Sequence, residues 1–277
     1  MTNLWDTHMH TSFSGDSKTP PEEQLRSAIE KGLTGVCITD HMDLDFPPVP
    51  ENPELTGDFF LFDPKKYFPA IRALAEKYRD RLTVLTGIEL GLQTQAAEKN
   101  RAVIAEGGYD FVIGSIHVVD GCDPYYASWW ERFPDAKQAV RHYFEVTLEN
   151  IRDFPAFDAL GHLDYVVRYA KDPLYRYRWE DFEDVLEAIL SLLIKKGIAL
   201  ELNTGAFRAG LHHPNPDEGI LKLYRSLGGE LVTIGADAHN PLHVGLAFDR
   251  VPGILRECGF THYAVYKKRK PEFLPLP

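Results

Sequence analysis

The sequence predicts an α/β protein, and a parallel (β/α) barrel is the favoured architecture. Short apolar runs alternate with amphipathic segments along the chain, with no linker, repeat or low-complexity tract. Strands that alternate with helices pair in parallel through right-handed crossovers. Eight candidate strands are enough to close a barrel, and the chain of 277 residues suits the ~250 typical of that fold. We therefore interpret residues 1–277 as a single domain.

An open, doubly wound sheet is the alternative architecture. It is disfavoured because no Gly-rich phosphate loop or dinucleotide fingerprint follows the first apolar segment, 4–6. Proline and glutamate at 20–23 open the first helix, which ends near Gly32. The apolar run 34–39 is typical of a buried parallel strand. The Pro-rich segment 46–53 is predicted to be a loop.

The rest of the chain repeats this alternation. Asp63-Pro64 starts a helix that runs through Tyr78, and Gly197 is the expected cap of a later helix. The segment 121–133 is predicted to be an aromatic-rich loop. Apolar runs predict strands at 82–87, 109–115, 157–161, 198–202, 231–235 and 262–265. Amphipathic runs predict helices at 93–106, 136–152, 180–196, 217–227 and 252–258.

The amino-acid composition and net charge limit the kinds of molecule that the protein is expected to bind. The 44% hydrophobic content allows a substantial core, and the formal charge of −11 argues against nucleic acid or an anionic membrane as a partner. There is no signal-peptide pattern and no apolar run of ~18 residues. Three cysteines without CxxC spacing suit a reducing compartment. We therefore expect a cytoplasmic protein, and the oligomeric state stays open.

Histidine, aspartate and glutamate, which are common metal ligands, follow many of the predicted strands. In an extended Thr7-His8-Met9-His10, the two imidazoles point to the same side and can share an ion. The candidate ligands at strand ends are His8, His10, His41, Glu89, His117, His162, Asp237 and His239. In a barrel these ends meet at one mouth. Imidazoles with carboxylates favour Zn, Mn or Fe, and so many candidates indicate two or three ions, with Glu89 as the natural bridge.

The ordered motifs support a family resemblance. They are Thr7-His8-Met9-His10, Ile38-Thr39-Asp40-His41, Gly87-Ile88-Glu89, Gly114-Ser115-Ile116-His117, Gly161-His162-Leu163-Asp164, Glu201-Leu202-Asn203-Thr204 and Ala236-Asp237-Ala238-His239. This set resembles the PHP (polymerase and histidinol phosphatase) superfamily, and within it the monofunctional histidinol-phosphate phosphatases. The resemblance implies a distorted (β/α)7 TIM-like barrel, with a trinuclear metal site at the C-terminal strand ends. The eighth strand would then lie outside the barrel or at its edge.

The resemblance also implies roles for residues. It assigns one ion to His8, His10, Glu89 and Asp237, a second to Glu89, His117 and His162, and a third to Asp16, His41 and His239. Asp16 stands where some relatives carry histidine, and a plain turn residue is the alternative. Arg168 and Arg208 would bind phosphate, or else be exposed loop charges. The implied catalytic residues are Asp16, Glu89, His117, Asp237 and His239.

The implied reaction is hydrolysis of L-histidinol phosphate, a step of histidine biosynthesis, by metal-hydroxide attack. Aromatic residues at 59–62 and 125–130 could face the imidazole and ammonium, and Asp43, Asp45 or Asp164 could pair with the ammonium. Three alternatives remain at this point. They are a PHP phosphoesterase for another small ester such as a nucleotide or phosphotyrosine, an amidohydrolase-type metal barrel, and an inactive metal-binding module.

Overall fold

Parallel strands form a nearly closed barrel in the computed structural model, which describes residues 4–55, 57–172 and 174–277. The strands are β1 (Trp5–Asp6), β2 (Gly35–Ile38), β3 (His41–Met42), β4 (Thr83–Gly91), β5 (Phe111–Ser115), β6 (Ala159–Leu160), β7 (Ala199–Asn203) and β8 (Val232–Gly235). Seven of them lie in the order β1-β2-β4-β5-β6-β7-β8, and β3 continues β2 along β4. The sequence prediction of a (β/α)7 barrel is confirmed.

The barrel closes between its first and last strands. The Thr7 amide donates to the Ile234 carbonyl at 2.9 Å, and the Asp237 amide donates to the His8 carbonyl at 2.8 Å. Side chains of β2, β5, β7 and β8 are buried throughout. Strands covered on both faces are largely apolar, which explains the short apolar runs in the sequence; the buried polar exceptions include Glu201 and Asn203 of β7.

Helices cover the outside of the barrel. They are α1 (Pro21–Glu30), α2 (Pro64–Tyr78), α3 (Ala97–Ala105), α4 (Ala127–Trp130), α5 (Ala136–Asp153), α6 (Glu183–Lys196), α7 (Gly205–Arg208), α8 (Glu218–Ser226) and α9 (Val251–Glu257). Asp63 caps α2 by accepting from the Lys65 amide, and Asp135 caps α5 by accepting from Gln138. Gly197 ends α6 at φ 68°, in the left-handed region that glycine adopts without strain.

The last strand lies outside the barrel, as one of the two sequence-based alternatives predicted. Strand β9 (His262–Lys267) pairs in antiparallel fashion with β10 (Lys270–Pro275) in a separate two-stranded sheet. The turn between them returns to the barrel, where Arg269 forms an ion pair with Asp158 and its amide donates to the Asp110 carbonyl at 2.8 Å. Within the described part of the chain, none of the helices has the length and apolarity needed to cross a membrane.

Candidate metal centre

The C-terminal ends of the barrel strands bring the predicted ligands together. His8 and His10 follow β1, His41 opens β3 and Glu89 lies in β4. The other five lie in the segments that follow strands; they are Asp16, His117, His162, Asp237 and His239. Parallel strands end at one mouth of a barrel, so residues more than 200 positions apart in sequence become neighbours.

Glu89 is the centre of the cluster, and its side chain is fully buried. Its Oε1 lies 3.3 Å from His8 Nε2, 3.3 Å from His117 Nε2 and 2.9 Å from His162 Nε2. Its Oε2 lies 2.9 Å from His41 Nδ1. One carboxylate surrounded by imidazoles from four strand ends has the arrangement of a bridging metal ligand.

The other two carboxylates extend the cluster toward the surface. Asp237 Oδ1 lies 3.3 Å from His10 Nε2 and 3.5 Å from His239 Nδ1. Asp16 Oδ2 lies 3.0 Å from His239 Nε2 and 3.5 Å from His41 Nε2. All nine predicted ligands therefore belong to one connected cluster, and Asp16 faces two imidazoles rather than serving only as a turn residue.

Unpartnered polar atoms show that this cluster suits metal ions. Across the residues that the structure describes, the buried atoms His8 Nε2, His10 Nε2 and Glu89 Oε2 have no hydrogen-bond partner. Four groups have ligand atoms within 4.8 Å of one another: His8–His10–Asp237, His8–Glu89–His162, His10–His41–His239 and His41–Asp43–His117. Three of these groups contain only predicted ligands. They combine some residues that the family resemblance assigns to different ions.

The carboxylates of the cluster are held in the ionised form. Burial opposes ionisation of Glu89, but the nearby charges of His8 and His117 keep its pKa well below the usual value. Burial likewise opposes ionisation of Asp237, and the adjacent His10 ring helps to keep its pKa well below the usual value. Buried anions require cations beside them, and divalent ions meet that need among imidazole ligands.

Glu201 orients two of the histidines. Its Oε1 lies 2.7 Å from His8 Nδ1, which leaves His8 Nε2 facing Glu89. Its Oε2 accepts hydrogen bonds from the His162 amide at 2.9 Å and from Asn203 Nδ2 at 3.0 Å. A carboxylate on the outer nitrogen of a ligand histidine fixes its tautomer and ring orientation. The motif around Glu201 was recognised in the sequence, but its contact with His8 was not predicted.

Two further acids and a serine orient other ligands. Asp43 Oδ2 lies 2.8 Å from His117 Nδ1. Ser14 Oγ lies 3.2 Å from His10 Nδ1 and donates to Asp40 Oδ1 at 2.7 Å. The Asp43–His117 contact joins residues 74 positions apart, so sequence spacing did not predict it.

Two of the predicted ligands have unusual backbone angles. His162 has φ 23° and Asp237 has φ 53°, in the left-handed region that costs energy for a residue with a side chain. Each of these residues is held by a hydrogen bond from its backbone amide. The His162 amide donates to Glu201, and the Asp237 amide donates to the His8 carbonyl. Strain that the surrounding structure maintains in this way is typical of functional sites.

A cavity of about 550 Å³ opens above the cluster. Aromatic residues form much of its wall; they are Phe46, Phe59, Phe60, Tyr125, Tyr126, Tyr165 and Tyr169. Thus each of the two aromatic segments singled out in the sequence contributes its first two residues, whereas Trp129 is buried below the surface. Cavities of this size and character hold small molecules.

Both predicted phosphate-binding arginines line this cavity. Arg168 Nη2 donates to Asn215 Oδ1 at 2.6 Å. Arg208 Nη1 donates to the Asp237 carbonyl at 3.0 Å, and 28% of its side chain is exposed. His243, which the sequence gave no reason to select, lies with its Nδ1 3.4 Å from Arg208 Nη1. The two guanidinium groups are therefore held by hydrogen bonds beside the predicted ligands and are not free loop charges.

The acids suggested for ammonium binding have other partners. Asp43 contacts His117, Asp45 forms an ion pair with Lys99, and Asp164 is fully buried. Asp123, which sequence reasoning missed, lines the cavity and accepts from the Tyr125 amide at 2.8 Å. Burial raises the pKa of Asp123 to about 6.

Comparisons with known proteins identify the family of the chain. The sequence matches the PHP domain family over residues 6–205. It is 34% identical to a probable histidinol-phosphatase of Thermotoga maritima (95% of this chain, 96% of the relative). It is 32% identical to one of Clostridium acetobutylicum (92% and 94%).

A solved structure also resembles the chain. It is the histidinol phosphate phosphatase of Lactococcus lactis, complexed with Zn, L-histidinol and phosphate, with a TM-score of 0.86 at 27% identity. The match covers 98% of this chain and 99% of that one. The family match spans well over half of the sequence, and the relatives align over nearly their whole length. The chain belongs to the PHP domain family.

Proposed function

We propose that this protein is a metal-dependent phosphomonoesterase that hydrolyses L-histidinol phosphate to L-histidinol and phosphate. The observation that carries the proposal is that the ligand cluster around Glu89 lies next to a cavity lined by two arginines. Two relatives that match nearly the full chain are named as probable histidinol-phosphatases, and the Lactococcus lactis structure holds Zn, L-histidinol and phosphate.

The ligand cluster has enough donors for three divalent ions of Zn, Mn or Fe. We assign them as the family resemblance implies, with Glu89 shared between two ions and Asp16, His41 and His239 holding a third. When bound, such ions acidify water and neutralise phosphoryl charge. His117 and Asp237 are ligands in this scheme, and Asp16 and His239 are the ligands nearest the surface.

The cavity residues bind and orient the substrate in this proposal. Arg168 and Arg208 present guanidinium groups, whose paired N–H donors match phosphoryl oxygens as charge shifts in the transition state. The aromatic wall suits a flat imidazole ring and a nearby cation. Asp123 supplies a carboxylate that is not a proposed ligand and can pair with the ammonium.

Turnover of defined esters tests the function. With Zn or Mn supplied, we expect kcat/KM for L-histidinol phosphate to exceed that for p-nitrophenyl phosphate by about 100-fold, because the charged ammonium and the ring add contacts that the analogue lacks. Equal or faster turnover of AMP or phosphotyrosine would contradict L-histidinol phosphate as the substrate, but it would leave the proposed phosphatase activity standing. No turnover of any ester by metal-loaded protein would contradict both.

Asp123→Asn tests the ammonium contact. We expect KM for L-histidinol phosphate to rise by about tenfold, since a charge-assisted contact is lost, while KM for p-nitrophenyl phosphate stays nearly constant. The wild-type KM should also rise as pH falls through about 6, because the carboxyl, whose pKa burial raises to about 6, becomes neutral below it. Equal changes for both esters, measured by initial rates, would assign Asp123 a structural role instead.

A further inference from the structure

Asp164 is a buried acid that the proposed function does not use. It is fully buried, its Oδ1 accepts from Asn215 Nδ2 at 2.6 Å, and its Oδ2 accepts from the Asp217 amide at 3.0 Å. Because both Asp164 oxygens accept hydrogen bonds here, the end of the Asn215 amide that faces Asp164 is the NH2 group.

Asn215 is held firmly by its backbone as well. It is fully buried, its amide donates to the Asn203 carbonyl at 2.9 Å, and its carbonyl accepts from the Asn203 amide at 2.7 Å. Asn203 is the last residue of β7, so Asn215 is attached to the barrel wall. With its NH2 group on Asp164, its Oδ1 points to Arg168 Nη2 at 2.6 Å.

The Arg168 guanidinium lies between Asn215, two tyrosine rings and the cavity. It lies 5.4 Å from the centre of the Tyr165 ring and 6.0 Å from that of Tyr169. Among the described residues, its buried Nε has no hydrogen-bond partner, and the side chain lines the cavity. Asn215 is neutral, so it fixes the guanidinium without cancelling the charge that an anionic ligand needs.

We propose that Asn215, with its amide turned by Asp164, is a positioning residue that aims Arg168 at the phosphoryl group. This inference rests on the proposed function. It also gives Asp164, from the Gly161-His162-Leu163-Asp164 motif, a role that the ligand cluster does not require. Asp164 and Asn215 act through Arg168 and do not themselves contact substrate.

A double-mutant cycle tests the proposal. In Asn215→Leu, we expect the inhibition constant of inorganic phosphate and KM to rise by about 10- to 100-fold, since a hydrogen bond to a charged group is lost, with zinc content unchanged. The same substitution in an Arg168→Ala background should add little, because the group that Asn215 positions is gone. Asn215→Ser, which cannot reach both partners, is a second variant should the leucine fail to fold.

Asn150→Leu is the matched control, because it removes a buried amide from α5, where Asn150 donates to the Val146 carbonyl at 2.9 Å. It should leave phosphate affinity as in the wild type. Unchanged phosphate inhibition in both Asn215 variants, or full additivity with Arg168→Ala, would overturn the proposal. Failure of the proposed function is separately visible, since the wild type itself would then not hydrolyse L-histidinol phosphate.

Discussion

Glu89→Gln is expected to abolish nearly all phosphatase activity and to lower the metal content. The wild-type carboxylate has oxygens 2.9 Å from both His41 Nδ1 and His162 Nε2, at the centre of the ligand cluster. Glutamine keeps the shape, but it replaces one anionic oxygen with an NH2 group that cannot bind a cation. Losing several kcal/mol of charge stabilisation lowers kcat by about 10³- to 10⁴-fold.

The measurement is kcat for L-histidinol phosphate together with metal analysis of the purified variant. Glu187→Gln, at an exposed position of α6, is the control for removing a negative charge and should behave as the wild type. Wild-type activity and metal content in Glu89→Gln would mean that this carboxylate does not bridge ions. Lost activity with full metal content would assign it a role in the reaction other than ligation.

Buried parallel strands made the fold predictable from sequence. Both faces of β2 are buried, so this strand appears in the sequence as a short apolar run. The four-residue helices α4 and α7 were not predicted, because they are barely longer than one helical turn. Strand β10 was missed for another reason. It contains two prolines and is largely exposed, so its strand form depends on pairing with β9.

Eight of the candidate ligands were predictable because they lie at strand ends, whereas Asp16 was suggested only by the family resemblance. The alternation of an extended chain placed His8 beside His10. The residues that orient the ligands were not predictable. Glu201 and its partner His8 are 193 residues apart, and Asp43 and His117 are 74 apart. Only closure of the barrel brings these pairs together. Position at a strand end thus identifies candidate ligands in the sequence, whereas the contacts that orient these residues depend on tertiary structure.

Removing the metal ions should abolish activity and destabilise the protein together. Without metal ions, the ionised Glu89 and Asp237 stay buried among partly unpartnered imidazoles such as His10. An ion that binds only the folded state, supplied at about 1,000 times its Kd, stabilises that state by about 4 kcal/mol. For a chain of this size, that corresponds to a Tm about 10 °C higher in the metal-loaded protein.

Dialysis against a chelator, followed by titration with Zn, provides the measurement. We expect activity and Tm to return as metal is added, with about three ions bound per chain at saturation, since the assigned sets divide the ligand cluster among three ions, with Glu89 counted twice. Addition of Mg should restore little, because Mg prefers oxygen ligands and the cluster is rich in imidazole. Saturation at one ion, or full activity after chelation, would contradict the multinuclear centre. Activity restored before the last ion binds would show that this ion serves structure rather than hydrolysis.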